Sequence, residues 1–195
     1  MLKQKLEEAG LEFDGLFYDR CTKYKELLQE WSAVHNLTRS TSDNEINGNI
    51  YDSVFPLKFL NSFESMADIG TGAGYPGMLL AIARPEAKVS LIEPKAKRVA
   101  FLNFVKASLK LENVTVVHKR VEEVNPTSFE LITSRAVTDT SLLLSLTNHL
   151  RDSQTEYLFY KGSSVEEEIK DIENYELIKR GDTRHYFYIK RKGLF

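Results

Sequence analysis

A short apolar run, Met66 to Ile69, gives way to a string in which glycine recurs at positions 70, 72, 74 and 77. Closely spaced glycines between a strand and a helix let the backbone turn sharply and approach a ligand seated on the helix N-terminus. The segment therefore reads as the head of a strand-helix unit, and the chain downstream repeats that unit. Apolar β-rich runs at Met66–Ile69, Lys88–Glu93, Val114–His118, Phe129–Thr133 and Glu156–Tyr160 alternate with helical stretches near Gly77–Ala83, Lys95–Lys110 and Asp139–Leu150. Regular alternation of this kind predicts a parallel sheet covered by helices on both faces. The tail departs from it. Tyr175–Lys179 and His185–Arg191 are separated by a turn containing Gly181-Asp182, so they are predicted to pair as an antiparallel hairpin. The expected fold class is α/β: a Rossmann-like, mostly parallel seven-stranded sheet with a C-terminal antiparallel hairpin.

The residues before this sheet have a different period. From Phe13 to Trp31, Phe13, Leu16, Phe17, Tyr24, Leu27, Leu28 and Trp31 recur at spacings of three, four and seven, which predicts a helix with one buried face. A second helix is expected over Asn44–Leu60, where Ile46, Ile50, Val54, Leu57 and Phe59 supply the apolar positions and Gly48 and Pro56 weaken it. Residues 1–62 thus form a helical extension and residues 63–195 the main domain. With 195 residues, 42% of them hydrophobic, the chain can bury one full core.

Charge and cysteine usage narrow the classes. The 26 basic and 28 acidic residues give a formal net charge of -2, which is not the balance of a protein that coats nucleic acid, although a local basic face still meets phosphates. Cys21 is the single cysteine, which excludes an intrachain disulfide or a thiolate metal cluster and fits a reducing, cytoplasmic setting. The first residues are charged, and no run of ~18 apolar residues follows, so neither secretion nor a membrane span is expected. His35, His118, His149 and His185 lie in unlike segments, and no metal site is predicted.

The glycine string fits two ligand classes. Read from Asp68 it is Asp-x-Gly70-x-Gly72-x-Gly74, the S-adenosylmethionine arrangement; read from Gly72 it is Gly72-x-Gly74-x-x-Gly77, the dinucleotide fingerprint. Glu93, about 20 residues on at the end of the next strand, suits ribose hydroxyls in either phase. The first phase ends the strand at Ile69 and leaves Asp68 at the ligand edge, where a carboxylate suits a cationic amino-acid group. A dehydrogenase also needs a second nucleotide half and a substrate domain, for which too little chain remains. The expected activity is methyl transfer from S-adenosylmethionine. The alternatives are a nicotinamide-dependent oxidoreductase using Gly72, Gly74 and Gly77, and a non-catalytic RNA-binding module.

Extended to Asp68-Ile-Gly-Thr-Gly-Ala-Gly-Tyr-Pro-Gly77, the string resembles the RsmG (GidB) family of bacterial 16S ribosomal RNA guanine-N7 methyltransferases. Further strings follow in that family's order: Trp31, Asn36-Leu37-Thr38, Ile50-Tyr51-Asp52-Ser53, Ala83-Arg84-Pro85-Glu86, Lys97-Arg98-Val99-Ala100-Phe101-Leu102, Arg120-Val121-Glu122-Glu123, Ser134-Arg135-Ala136 and Lys161-Gly162. The resemblance implies a Rossmann-like class I methyltransferase that binds S-adenosylmethionine with Asp68, Gly70, Gly72, Gly74, Tyr75, Glu93, Val121, Glu122 and Arg135. Gly70 and Tyr75 would line the methionine end, Glu93 would meet the ribose, and Val121 and Glu122 would flank the adenine. Arg135 would sit beside cofactor and target base as a positioning group. The implied partner is 16S rRNA or a precursor of the small ribosomal subunit, met by a monomer. Lys95, Lys97, Arg98, Lys161 and the Lys190-Arg191-Lys192 run are candidate RNA contacts. Two departures stand out: Gly48-Asn49 where the family commonly has Arg-His, and Glu93-Pro94 in place of Asp-Ser.

Guanine N7 carries a lone pair and no proton, so in-line attack on a sulfonium methyl group requires alignment and exclusion of water but no general base. The string Ser134-Arg135-Ala136 after the fourth strand fits that chemistry. It is not the Asn/Asp-Pro-Pro-aromatic string used on exocyclic amino groups, and no cysteine is placed to attack carbon.

Overall fold

The strand that ends on the glycine string, β1 (Ser65–Ile69), lies inside the sheet, parallel to β2 (Lys88–Ile92) on one side and β4 (Leu131–Arg135) on the other. In the computed structural model, which describes residues 2–135 and 137–190, β3 (Val114–Val117) pairs with β2, and β5 (Glu156–Lys161) pairs with β4, all parallel. The hairpin of β6 (Glu176–Arg180) and β7 (Arg184–Ile189) then adds antiparallel strands, with β7 inserted against β5. The sheet order is β3-β2-β1-β4-β5-β7-β6. The predicted seven-stranded α/β sheet is therefore present, hairpin included.

Helices α4 (Gly77–Ala83), α5 (Ala96–Ser108) and α6 (Thr140–Leu146) link the parallel strands, and the short α7 (Val165–Glu168) follows β5. Before the sheet come α1 (Leu2–Glu8), α2 (Gly15–His35) and α3 (Asp43–Val54). Local chemistry sets their ends. Asp14 accepts the Phe17 N–H at 2.8 Å and caps α2, and Asn36 closes it in the left-handed region at φ 49°. Ser42 and Glu45 form a reciprocal capping box on α3. The predicted helix over residues 44–60 stops at Val54, where the chain tightens into a 3-10 turn over Phe55–Lys58, because Pro56 has no N–H to continue the ladder. Helix α1 escaped prediction because only Leu2 and Leu6 carry its apolar face; Leu6 is nevertheless fully buried.

The fourth strand is shifted from the predicted Phe129–Thr133. Its start is set by pairing of Leu131 with Met66 in β1, and its end by pairing of Arg135 with Tyr160 in β5, so register overrides local propensity. Arg135 thereby becomes the last residue of a central strand instead of part of a loop.

Alternation along β1 divides the core. Met66 faces a cluster in which Leu6, Phe17, Tyr24, Leu28, Ile46 and Ile50 of the N-terminal helices pack with Leu79 and Phe101. Ala67 and Ile69 face the opposite cluster, with Ile132, Leu143, Phe159 and Phe187. The N-terminal helices are also tied to the sheet by polar contacts: the Tyr160 hydroxyl donates to the Ser53 carbonyl at 2.6 Å, and the Tyr24 hydroxyl donates to the Ala73 carbonyl at 2.7 Å.

Helix α4 seats its first turn directly on β1. A Cβ at Gly77 would stand 2.5 Å from Leu91 Cδ2 and 2.6 Å from Asp68 Cβ, closer than packed atoms allow. Gly77→Ala is expected to lower unfolding free energy by about 1–3 kcal/mol in chemical denaturation, through forced displacement of helix from strand. A variant as stable as the parent would show that this contact gives way freely.

Candidate active site

A cleft opens at the carboxyl ends of β1 and β2, where open α/β sheets receive ligands. It has a volume of about 320 Å³ and is lined by Gly70, Ile92, Glu93, Val121, Glu122 and Leu142 among others. Gly70 and Gly72 adopt φ of +65° and +63°, a region that favours glycine, and a Cβ at Gly72 would project into space with nothing nearer than 3.9 Å. The backbone at Gly72 is bare, as a closely approached ligand requires, whereas the Val137 side chain lies over Gly70. Glu93 is 1% exposed, with one carboxylate oxygen accepting the Gly72 N–H and the other the Lys95 N–H, each at 3.0 Å. It holds the glycine loop to the start of α5 and presents its carboxylate at the cleft floor. Arg98 approaches the same carboxylate at 3.5 Å. Val121 opens a 3-10 turn whose carbonyl lies 3.1 Å from His149 Nε2, and Glu122 beside it is exposed.

Asp68 departs from its expected place. The strand ends at Ile69 as predicted, but Asp68 before it is fully buried and faces inward: its carboxylate accepts the Gly77 N–H at 2.9 Å and the Thr133 hydroxyl at 2.8 Å. It anchors α4 and β4 to β1 and does not line the cleft. Burial pushes its pKa up to about 6 against the hydrogen bonds that favour the charged form.

Arg135 lies at the junction of both halves of the sheet edge. Its guanidinium stacks 4.5 Å from the centroid of the buried Tyr75 ring, donates to Asn49 Oδ1 at 2.9 Å, and stands 3.5 Å from Asp52 Oδ2. Tyr75 in turn packs edge-on against Tyr24, and burial pushes its hydroxyl up to about 12. Asn49, in one of the two pairs that depart from the family pattern, thus reaches Arg135 directly. Sequence reasoning passed over Asp52 as a ligand of Arg135 and gave no role to Val137, whose side chain covers Gly70.

The RNA candidates separate in the structure. Lys95 and Lys97 are exposed beside the cleft, and Lys97 Nζ donates to the His35 carbonyl. Lys161 is not available to a phosphate: it is buried, donates to the Thr138 carbonyl at 2.9 Å and pairs with Glu168 at 2.7 Å, supporting the loop after β4. Lys190 pairs with Glu176 at 2.8 Å; Arg191 and Lys192, like Ala136, lie outside the described residues. Cys21 is buried, and desolvation raises its thiol to about 12, which makes it packing material. Among the described residues no cluster of three or more His, Cys, Asp or Glu is placed to hold a metal ion, and no helix is long and apolar enough to cross a membrane.

A dinucleotide fold needs a second parallel mononucleotide-binding half, whereas here β7 reverses direction between β5 and β6. The fold is that of the class I S-adenosylmethionine-dependent methyltransferases. Similar solved structures include the ribosomal protein L11 methylase of Lactobacillus delbrueckii subsp. bulgaricus, with a TM-score of 0.58, 12% identity, and coverage of 75% of this chain and 80% of that one. M. jannaschii TYW2 in complex with AdoMet matches with a TM-score of 0.55 at 19% identity, over 74% and 77% of the two chains.

Residues 18–192 match the family model GidB, rRNA small subunit methyltransferase G, and the chain belongs to that family. Ribosomal RNA small subunit methyltransferase G of Aliarcobacter butzleri (strain RM4018) is 50% identical over 192 residues, covering 97% of this chain and 98% of that protein. The protein of the same name in Wolinella succinogenes is 45% identical over 186 residues, covering 95% and 96%.

A buried acid that titrates higher in the folded than in the unfolded chain stabilises the fold at low pH. That contribution is complete below the ordinary value of 3.8 and is lost as pH rises through about 6. Relative to Asp68→Asn, which does not titrate, the parent protein is expected to gain stability between pH 7 and pH 5 in urea unfolding. A loss over the same interval would contradict the burial argument.

Proposed function

We propose that this protein transfers a methyl group from S-adenosylmethionine to N7 of a guanine in 16S rRNA. The observation that supports this reading is family membership over residues 18–192, in a chain whose Arg135 ends the strand next to β1 and stacks on Tyr75 of the glycine loop. S-adenosylmethionine supplies an electrophilic sulfonium methyl group. The bare backbone at Gly72 would let it approach, Glu93 would receive its ribose hydroxyls, and the apolar wall of Ile92, Val121 and Leu142 would take the adenine, with Glu122 at the rim. Tyr75 and Arg135 bound the methionine end, while Asp68 and Gly74 serve the site by fixing the loop and α4.

Arg135 acts as a positioning group. It is held from three directions by Tyr75, Asn49 and Asp52, so its guanidinium is fixed before substrate arrives. A fixed cation stacked on Tyr75 would orient the purine edge by hydrogen bonding and remove no proton, in keeping with attack by an N7 lone pair. Residues 1–62 are the helical extension, whose Asn49 and Asp52 hold Arg135, and residues 63–195 the catalytic domain, working as a monomer in the cytoplasm, where the ribosomal RNA is met.

Incubation with methyl-labelled S-adenosylmethionine and 16S rRNA is expected to yield N7-methylguanosine on nucleoside mass spectrometry; label in protein or in a small metabolite would refute the reading. Glu93→Gln places an amide donor against one of two backbone N–H groups and is expected to weaken cofactor binding about tenfold in calorimetric titration. Arg135→Ala is expected to slow methylation about 100-fold, with cofactor affinity falling by a much smaller factor. Equal losses of rate and thermal stability would assign Arg135 a structural role instead.

A further inference from the structure

Three guanidinium groups converge on a single carboxylate at the carboxyl edge of the sheet. Asp52 Oδ1 lies 2.6 Å from Arg180 Nη2 and 2.9 Å from Arg184 Nε, and its Oδ2 lies 3.5 Å from Arg135 Nη1. Asp52 is 3% exposed. One arginine neutralises a buried carboxylate, so the group carries a surplus of two positive charges. Like charges held this close repel one another, and a partly buried setting weakens the solvent screening that would relieve them. Pinning a hairpin to a helix needs only one such pair. The surplus is therefore what a site for an anion would show, and the arginines remain reachable, with side chains 17% (Arg135), 30% (Arg180) and 27% (Arg184) exposed.

Placement makes the anion a polyanion lying beside the base-binding position. Arg135 ends β4 opposite Tyr160 of β5, and the next residue of β5, Lys161, pairs with His185 at the start of β7. Arg180 and Arg184 form the last pair of the hairpin, at this same edge. The cluster thus extends the edge from Arg135 away from Glu93 and Val121, on the side the cofactor leaves free. A second cleft of about 500 Å³ adjoins it, lined by Lys5, Glu8, Ala9, Gly48, Tyr51 and Arg180, so that its one carboxylate is outnumbered by cations. A Cβ at Gly48 would meet nothing within 4 Å, and the Arg180 guanidinium lies 5.2 Å from the centroid of the Tyr51 ring. Arg180 also donates from Nε to the Tyr186 hydroxyl at 2.8 Å and Arg184 from Nη1 to the Lys161 carbonyl at 3.3 Å, so a phosphate would meet their remaining Nη donors; open space, an aromatic face and guanidinium groups together suit a nucleic-acid strand.

We propose that Arg180 and Arg184 form a phosphate clamp for the RNA substrate, gripping the strand that delivers the target base to Arg135, with Asp52 as the residue that orients all three guanidinium groups. This rests on the methyl-transfer reading above and adds a contact area distinct from Lys95, Lys97 and Arg98.

The test measures binding of protein-free 16S rRNA and methylation kinetics for the full chain and for Arg180→Gln, Arg184→Gln and the double variant. The double variant is expected to bind the RNA about tenfold more weakly and to raise the RNA KM similarly, with cofactor affinity and kcat at saturating RNA unchanged. The slope of log K against log salt should fall by about 0.7 for each guanidinium removed. Folded variants with unchanged RNA affinity and salt slope would overturn the clamp, as would a loss confined to thermal stability. If the glutamine variants fail to fold, phenylglyoxal modification of the parent protein decides: RNA should protect Arg180 and Arg184, and equal modification with and without RNA overturns the proposal. A parent protein that binds cofactor but methylates no RNA would refute the underlying reading, whereas active parent with an unaffected double variant would remove the clamp alone.

Discussion

The site depends on one buried carboxylate. Asp68 sits at the end of a central strand and takes hydrogen bonds from the first residue of α4 and from Thr133 of β4, so a single side chain sets the relative position of three elements. Those are the elements whose ends make the cleft: β1 leads into the glycine loop, α4 receives it, and β4 carries Arg135. Burying a carboxylate at no exposure is costly, and its raised pKa expresses that cost. Gly77 is the steric counterpart, since any side chain there would occupy the space that Asp68 fills.

Glu93 makes the second connection. By accepting N–H groups from Gly72 and Lys95 it joins the glycine loop to the head of α5, and the same carboxylate forms part of the cleft floor. The edge of the sheet then divides at Arg135. Toward β2 and β3 lie the bare Gly72, Glu93 and an apolar wall; toward β5, β7 and β6 lie arginines organised by Asp52. Arg135 belongs to both halves, stacked on Tyr75 and paired to Asp52, which is the geometry a group needs if it is to align a base from one side with a methyl donor on the other.

Much of this was readable in the sequence because it is written in local periodicity. Strand-helix alternation, the glycines and the hairpin turn each involve residues within a short stretch, and each predicted strand appears within a few residues of its expected place. The exceptions have non-local causes. The ends of β4 follow pairing with β1 and β5, and α1 is short, with one side chain in the core. At the site, Glu93 and Val121 stand at the cleft, where strand ends place them, whereas Asp68 turns inward because Gly77 leaves a hole that only tertiary packing defines. Lys161 reads as a free cation in sequence but is committed to Glu168. The pairing of Asp52 with Arg180 spans 128 residues and has no local signal at all.

The central claim, methyl transfer to a guanine N7 of 16S rRNA through this cleft, is tested most directly in cells. Methylated nucleosides of ribosomal RNA would be mapped by mass spectrometry with the gene intact, deleted, and restored as the parent or the Glu93→Gln form. The account predicts one N7-methylguanosine in 16S rRNA that disappears on deletion, returns with the parent and returns less completely with the variant. An unchanged methylation map after deletion would contradict it.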